Sequence, residues 1–236
     1  MNTNELVDKT VRFLSTTVGR DRVNRFVQYF ARFLAWHLQK NGSDKEVLAR
    51  VAGLAAATAI TRKVMRTGRQ LEFARGIVKA LAIKDDVIRI TTIFKSVFMA
   101  AWLSFDTCQW IHSAGVYKFE NIKEIGSRAF KCWLVALLFS FAGDIYKLQL
   151  NAKKISIESK IAKSEKAPAD EAVIARRNIK ALIAERSKLF ITAVQDGVDI
   201  ILPSAGLEYL SFDSGIVGLA GAFTSLLGGY AHWNSL

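Results

Sequence analysis

Histidines and cysteines are the residues of this 236-residue chain best suited to metal binding or nucleophilic chemistry. His37, His112 and His232 lack the spacing of a metal site and have no Cys or carboxylate placed to complete one. Cys108 and Cys132 lie in apolar stretches without a Cys-x-x-Cys spacing. The sequence therefore predicts two buried thiols, with no disulfide and no bound metal.

Paired carboxylates are a second chemical possibility, and Asp85–Asp86 is the one adjacent pair. Neighbouring residues on a helix point about 100° apart, so this pair predicts a helix cap or a loop and not an acid–base dyad. The sequence also contains no glycine-rich phosphate loop, nucleophile elbow or zinc-protease motif. We therefore expect no enzyme activity and no cofactor.

Phenylalanine and arginine on one short segment could instead contact lipid. Arg22 to Leu34 contains three Phe, one Tyr and three Arg. On a helical wheel Phe26, Phe30 and Phe33 share a wide apolar face, with Arg25 and Arg32 opposite. The surface of a folded bundle and the plane of an anionic membrane both suit such a helix. Gly19 and Asp21 predict where it begins.

A second basic segment, from Ile60 to Val78, predicts another interfacial helix. Its apolar residues share one face, and its basic residues lie mostly opposite, with Arg75 inside the apolar face. A bundle helix with a solvated basic side is the alternative. The candidate membrane-binding residues are Ile60, Arg62, Lys63, Val64, Arg66, Arg69, Leu71 and Val78, together with the three phenylalanines and two arginines of the first helix.

Composition favours a membrane as the partner. The chain is 51% hydrophobic and carries a formal net charge of +12. A basic soluble domain normally binds nucleic acid, whereas a hydrophobic basic chain more often meets a membrane, so we expect an anionic phospholipid membrane and no nucleic acid. The charge lies in two blocks, residues 20–79 and 147–188, and no Lys or Arg follows Lys188.

Four segments are candidates for crossing a bilayer. Ser214–Trp233 is uncharged and about 30 Å long as a helix, with aromatic residues at its end. The shorter candidate Ala129–Lys147 has lysines nearby, Ser96–Tyr117 contains Asp106, and Phe190–Ala205 contains two aspartates. We expect an even number of crossings and leave two or four open.

Small residues in the last helix follow the four-residue spacing that lets membrane helices approach closely. Gly221, Ser225 and Gly229 form one such row, and Gly218 with Ala222 forms a parallel one. This pattern predicts self-association into a homo-oligomer through Gly218, Gly221, Ser225 and Gly229. The partner helix could lie in the same chain or in another copy.

Together these patterns predict an all-α integral membrane protein with N-terminal amphipathic helices and a small helical bundle ending in a C-terminal transmembrane helix. The predicted segments are basic amphipathic helices over 1–86, membrane-associated helices over 87–148, a polar helical hairpin over 149–188 and a C-terminal membrane region over 189–236.

The motifs "GRDRVNRFVQYFARFL", "TRKVMRTGR" and "GIVGLAGAFTSLLGGYAHW" occur in that order. In this arrangement the chain resembles the peroxin-11 family of peroxisomal membrane proteins over nearly its full length. The resemblance implies a peroxisomal membrane location, elongation and tubulation of that membrane before fission, and self-association. It further implies cooperation with a dynamin-type GTPase and a tail-anchored fission adaptor.

Other classes of function remain open alongside membrane remodelling. A pore for small metabolites is one, since Lys95, Asp106 and Asp144 could line a polar path between helices. A nucleic-acid binder using the basic N-terminal block is another. Membrane insertion would disfavour the nucleic-acid binder, and solute flux would distinguish a pore from a remodelling protein.

Overall fold

The computed structural model describes residues 2–164 and 168–236, and within them the chain is helical with no strand. The described helices are α1 (Thr3–Ser15), α2 (Thr17–Lys40), α3 (Lys45–Arg66), α4 (Gln70–Ala80), α5 (Asp86–Ser113), α6 (Ile122–Lys163), α7 (Ala169–Asp199), α8 (Ile201–Gly206) and α9 (Ser214–Trp233). The predicted all-α class is therefore confirmed.

Side-chain caps fix several helix starts. Asn2 caps α1, and the Glu5 carboxylate accepts from the Asn2 backbone N–H to complete a capping box. Thr16 accepts from the N–H of Gly19, so α2 begins at Thr17, before the start predicted from Gly19 and Asp21. Asp85 caps α5 by accepting from the N–H of Ile88, the role that its position beside Asp86 predicted.

Consecutive long helices pack side by side in opposite directions. In the α5–α6 pair, Thr91 lies against Gly143 and Trp102 stacks on Trp133. In the α6–α7 pair, Asn151 donates to the carbonyl of Leu182, and Ser140 donates to Asp196. Helix α2 runs antiparallel to α9 in the same way, with Thr16 at the end of α9 and Trp36 at its beginning.

The segment Ile60–Val78 is not the single helix that the wheel assumed. Helix α3 ends at Arg66 and α4 begins at Gln70, with Gly68 between them at φ 88°. This left-handed conformation suits glycine because it has no Cβ to clash, and it interrupts the helical periodicity. The single continuous helix predicted for this segment is therefore wrong, although Ile60, Val64, Leu71 and Val78 are all exposed.

Three described helices are long and apolar enough to cross a membrane, namely α5, α6 and α9. Helix α9 has the bounds predicted for the terminal span. Helix α5 begins ten residues before the predicted Ser96 and ends at Ser113. The candidate Phe190–Ala205 is divided between α7 and α8 at Ile200.

The bundle is apolar on the outside and partly polar on the inside. Many large apolar side chains are exposed, including Leu219, Phe223 and Leu226 along α9. The interior contains buried arginines, aspartates and hydroxyl groups as well as a small apolar core around Tyr29 and Trp133. A membrane protein has this distribution because lipid, not water, contacts its outer surface.

Candidate functional site

The α2–α9 contact brings together the aromatic and basic segment near the N-terminus and the candidate span at the C-terminus. A Cβ at Gly218 would lie 2.7 Å from the backbone nitrogen of Phe33, and one at Gly221 would overlap the Tyr29 ring. The glycines thus allow two backbones to approach closely. For these two positions the partner helix is in the same chain. By contrast, no atom lies within 4 Å of a Cβ built at Gly229.

Arg25 forms the central ion pair of the interior. Its guanidinium donates to Asp199 Oδ1 at 2.5 Å and to Thr224 Oγ1 at 3.1 Å, and both charged side chains are almost fully buried. Thr224 is the eleventh of the twenty residues of α9. It therefore lies about 15 Å from either end of that helix, at the depth of the bilayer centre for a spanning α9.

A second buried pair joins α2 to α3. Arg62 Nε donates to Asp21 Oδ1 at 3.0 Å, and Arg62 Nη1 donates to Gln28 Oε1 at 2.7 Å. Both side chains of the Arg62–Asp21 pair are buried. Because the guanidinium is planar with several donors, it bonds an acid and an amide about two turns apart on α2.

Asp106 on α5 pairs with two cations of α3. Arg66 Nη2 lies 2.6 Å from Asp106 Oδ2, and Lys63 Nζ lies 3.5 Å from Asp106 Oδ1. The Arg66 guanidinium also lies over the Trp102 ring, 4.9 Å from its centroid. The acid within the predicted span therefore faces another helix, which is the arrangement that makes it tolerable in a membrane protein.

Polar contacts also link α5, α6 and α7. Lys95 Nζ donates to Ser140 Oγ at 2.6 Å and lies 4.0 Å from Asp196 Oδ2, to which Ser140 donates. Asp144, one turn further along α6, is buried and lies 3.6 Å from Lys147. The three residues proposed to line a polar path, Lys95, Asp106 and Asp144, are thus all in contact with opposite charges.

The ion pairs of Arg25, Arg62 and Asp106 border an internal cavity of about 300 Å³, whose lining also includes Asp196 but neither Lys95 nor Asp144. It is lined by seven basic side chains and four acidic ones, namely Arg22, Arg25, Arg32, Arg62, Lys63, Arg66 and Arg69, and Asp21, Asp106, Asp196 and Asp199. Apolar side chains from α5 and α6 complete its wall. A charged cavity inside an apolar exterior is the main candidate functional site, since ionisable groups at membrane depth are costly unless they serve a function.

Some of the predicted membrane-binding residues face outward and others face the interior of the bundle. Phe30, Ile60, Val64, Leu71 and Val78 are exposed, Phe26 and Phe33 are half-buried, and Arg32 is exposed with its Nε donating to Ser214. Arg25, Arg62 and Arg66 instead face inward, and Lys63 and Arg69 are half-buried with acidic partners. Lipid contact by these residues stays a prediction, and the inward arginines stabilise the bundle.

Helix α1 is an amphipathic element for which the sequence analysis offered no function. Leu6, Val7, Val11 and Leu14 are exposed along one side, while Glu5, Asp8, Lys9 and Arg12 follow the other. Apolar residues three and four apart were the signal that could have found it. It contacts α9 through Lys9, which lies over the Trp233 ring, and through Phe13, which packs against His232 and Trp233.

Within the described residues there is no cluster of His, Cys, Asp or Glu that could hold a metal ion. Cys108 and Cys132 are unpaired, and they are half-buried, not fully buried as predicted. The interior thus offers charge and hydrogen bonding at membrane depth without a metal centre or thiol pair in the described part of the chain.

Fold and site together define a class: a helical membrane protein with paired charges inside and apolar side chains outside. Comparison of the sequence with known proteins identifies the family. The family model for Peroxisomal biogenesis factor 11 (PEX11) matches residues 7–233. This chain belongs to that family, and it is a peroxisomal membrane protein with a role in peroxisome biogenesis.

Several relatives match over nearly their whole length. Peroxisomal membrane protein PMP27 of Saccharomyces cerevisiae is 31% identical, covering 97% of this chain and 95% of the relative. Peroxisomal biogenesis factor 11 of Schizosaccharomyces pombe is 26% identical over 94% and 93%. Peroxisomal membrane protein 11A of Homo sapiens is 24% identical over 94% of each. No solved structure shows a significant match.

Proposed function

We propose that this protein elongates the peroxisomal membrane by inserting amphipathic helices into one leaflet, and that it thereby promotes peroxisome proliferation and fission. The observation that supports this most directly is the exposed apolar face of α1. A helix lying in one leaflet adds area to that leaflet and not to the other, so enough copies bend the membrane.

The location of α1 suits insertion at the membrane surface. Phe13 packs against Trp233, and Lys9 Nζ lies 5.1 Å from the centroid of the Trp233 ring, at the end of the candidate span α9. A helix anchored at the end of a span lies near the boundary between lipid and water. Val7 and Val11, which are exposed there, would enter the acyl boundary.

Helices α3 and α4 contribute a second outward apolar surface, formed by Ile60, Val64, Leu71 and Val78. Helix α4 packs along the middle of α5, since Gln70 contacts Leu103 and Gly76 approaches Ser96. Its insertion into a leaflet as a separate helix requires that it leave α5. We therefore assign α1 the leading role and α4 the second.

Full-length protein in anionic vesicles tests the proposal. Val7→Asp with Val11→Asp should remain inserted through the spans, because both side chains are exposed and lie outside them. This variant should lose the ability to draw vesicles into tubules seen by electron microscopy. Leu71→Asp with Val78→Asp measures the contribution of α4. A matched control is Val173→Asp with Ile174→Asp, two exposed apolar residues in the polar part of α7.

The results of these experiments distinguish the contribution of α1 from that of α4. Loss of tubules in the α1 variant alone supports insertion by α1, and loss in the α4 variant alone moves the function to α4. Normal tubules in both variants contradict the proposal. A resistance test with alkaline carbonate verifies that each variant is still embedded in the membrane.

Partners follow from the family resemblance. We propose self-association and cooperation with a dynamin-type GTPase and a tail-anchored adaptor, in addition to the anionic phospholipid membrane. Of the four small residues predicted to form the oligomer contact, Gly218 and Gly221 are covered by α2 of the same chain, so we place the contact between chains on the exposed face of α9 that carries Leu219 and Phe223. Affinity capture from crosslinked peroxisomes, with Leu219→Ala and Phe223→Ala as the variant, tests this contact.

A metabolite pore is the second candidate, and the internal cavity of about 300 Å³ is the observation that favours it. Lys95→Met removes a positive charge and Asp106→Asn removes a negative one. Either substitution should change solute flux through the reconstituted protein. The α1 variant should leave flux unaltered. Asp106 lines the cavity and Lys95 contacts Asp196, which also lines it, so solute flux that both substitutions leave unaltered contradicts the pore.

A further inference from the structure

A second cavity lies on the outside of the bundle, in a groove between α1, α2 and α9. Its volume is about 320 Å³, within the range of small-molecule sites. Its apolar walls are formed by Phe13, Val23, Phe26, Leu226, Tyr230 and Trp233. The groove opens toward the side of the protein where the exposed apolar residues of α9 lie.

Arg22 is the charged residue in the lining of this groove. A Cβ built at Gly228 would lie 2.8 Å from Arg22 Cζ, so the guanidinium rests against the backbone of α9. Among the residues that the structure describes, Arg22 has no ion pair or hydrogen bond from its side chain. Arg25, by contrast, is paired with Asp199. Arg22 also borders the internal cavity, but the nearby acids Asp21 and Asp199 are paired with Arg62 and Arg25. A partly buried cation without an acid of its own calls for an anion from outside the chain.

Depth along α9 indicates what kind of anion can reach Arg22. Gly228 precedes Trp233 by five residues, about 7.5 Å along the helix axis. Arg22 therefore lies just below the end of the candidate span, within the reach of a side chain that extends toward lipid headgroups. Lys9, stacked on Trp233, places a second cation at the same end of the groove.

We propose that this groove binds one anionic phospholipid. Its acyl chain lies along the apolar walls, and its phosphate accepts from the Arg22 guanidinium with the Lys9 ammonium nearby. The groove is apolar below the cation and open to lipid, which matches a phospholipid in both respects. A second copy of α9 would bring no carboxylate to Arg22, because Ser214–Trp233 contains no acidic residue.

Native mass spectrometry of the full-length, delipidated protein tests the site with phosphatidylglycerol and phosphatidylcholine of the same acyl chains. We expect the unmodified protein to retain one phosphatidylglycerol about tenfold more tightly than phosphatidylcholine, the size expected of a charge-assisted hydrogen bond. Arg22→Gln should reduce that ratio to about one. Arg20→Gln, which removes an exposed arginine from the same helix, should leave it unaltered.

Gly229→Leu tests the apolar part of the site. No atom lies within 4 Å of a Cβ there, so a leucine fits without distorting the backbone and fills the groove. It should reduce retention of both phospholipids about tenfold. Gly53→Leu is the matched control, since Gly53 is also helical with open space beside it. Unaltered thermal transitions verify that both variants fold.

Three results would overturn the inference. One is equal lipid retention by Gly229→Leu and Gly53→Leu, which would mean that lipid adheres elsewhere. Another is a tenfold preference for phosphatidylglycerol that persists in Arg22→Gln. The third is a protein dimer that forms through the groove and excludes lipid from it.

Discussion

Arg25 shows at the scale of one residue how a cation is accommodated inside an apolar exterior. Its partners come from two other helices, Asp199 on α7 and Thr224 on α9, and its guanidinium lies 5.6 Å from the Tyr29 ring centroid. Removing two charges from water is unfavourable, and the pair offsets that cost only with good geometry and further hydrogen bonds. Both conditions are met here, so the pair holds three helices together.

Asp199→Asn should lower the free energy of unfolding by about 3–5 kcal/mol, because it leaves Arg25 buried without its acid. The thermal transition in detergent measures the change. Arg25→Met combined with Asp199→Leu should recover most of the loss, since it removes both charges. Glu124→Gln is the control, because it breaks an exposed pair with Arg128. An Asp199→Asn protein as stable as the control would refute the structural role of the pair.

At the scale of elements, the α2–α9 contact depends on glycine. Gly215, Gly218, Gly221 and Gly228 lie against Trp36, Phe33, Tyr29 and Arg22 of α2, in that order. The large side chains of one helix thus fit over the bare backbone of the other, which gives a short interhelical distance. Asp213 caps the beginning of α9, and its pKa is lowered by the N–H of Gly215 that donates to it and by nearby Lys40.

Gly221→Leu should therefore act on folding within one chain. The new side chain overlaps the Tyr29 ring, and we expect a loss of about 3 kcal/mol or more in the thermal transition. Gly229→Leu should lose less than about 1 kcal/mol because its side faces open space. Intermolecular crosslinking at equal membrane insertion provides the decisive comparison: weaker crosslinking of a fully stable Gly221→Leu protein would place the contact between chains instead.

At the scale of the whole molecule, helix directions restrict the topology. Helix α7 returns antiparallel to α6. Helix α9 runs antiparallel to α7, since Leu202 in α8, just after the end of α7, shares the apolar core with Val217 near the beginning of α9. The end of α9 in turn meets the beginning of α2 through Thr16 and His232. This arrangement points the beginning of α1, the end of α6 and the end of α9 to the same side.

Cysteine labelling tests that arrangement in intact peroxisomes, in a protein whose Cys108 and Cys132 are replaced by Ala. Ser164→Cys and Ser235→Cys should react from the same side of the membrane, and Val116→Cys, in the loop before α6, should be protected there. All three positions are exposed. Labelling of Ser164→Cys and Ser235→Cys from opposite sides would contradict the topology and favour two crossings.

Local patterns in the sequence determined the helical class, the bounds of α9 and the capping role of Asp85. These features depend on hydropathy, side-chain period and capping chemistry within a few residues. The sequence also indicated that Asp106 needs a partner, because an acid in an apolar segment is costly alone. Its partners, Arg66 and Lys63, lie some forty residues away and could not be inferred from spacing.

Tertiary structure decided which side of each amphipathic helix faces inward. A helical wheel separates apolar from charged residues but does not assign either side to the interior, because water favours one arrangement and lipid the other. In this protein the arginines at 25, 62 and 66 turn inward to aspartates on other helices, and Phe30 and Val64 face outward. Only packing could reveal this, since each ion pair joins segments distant in the chain.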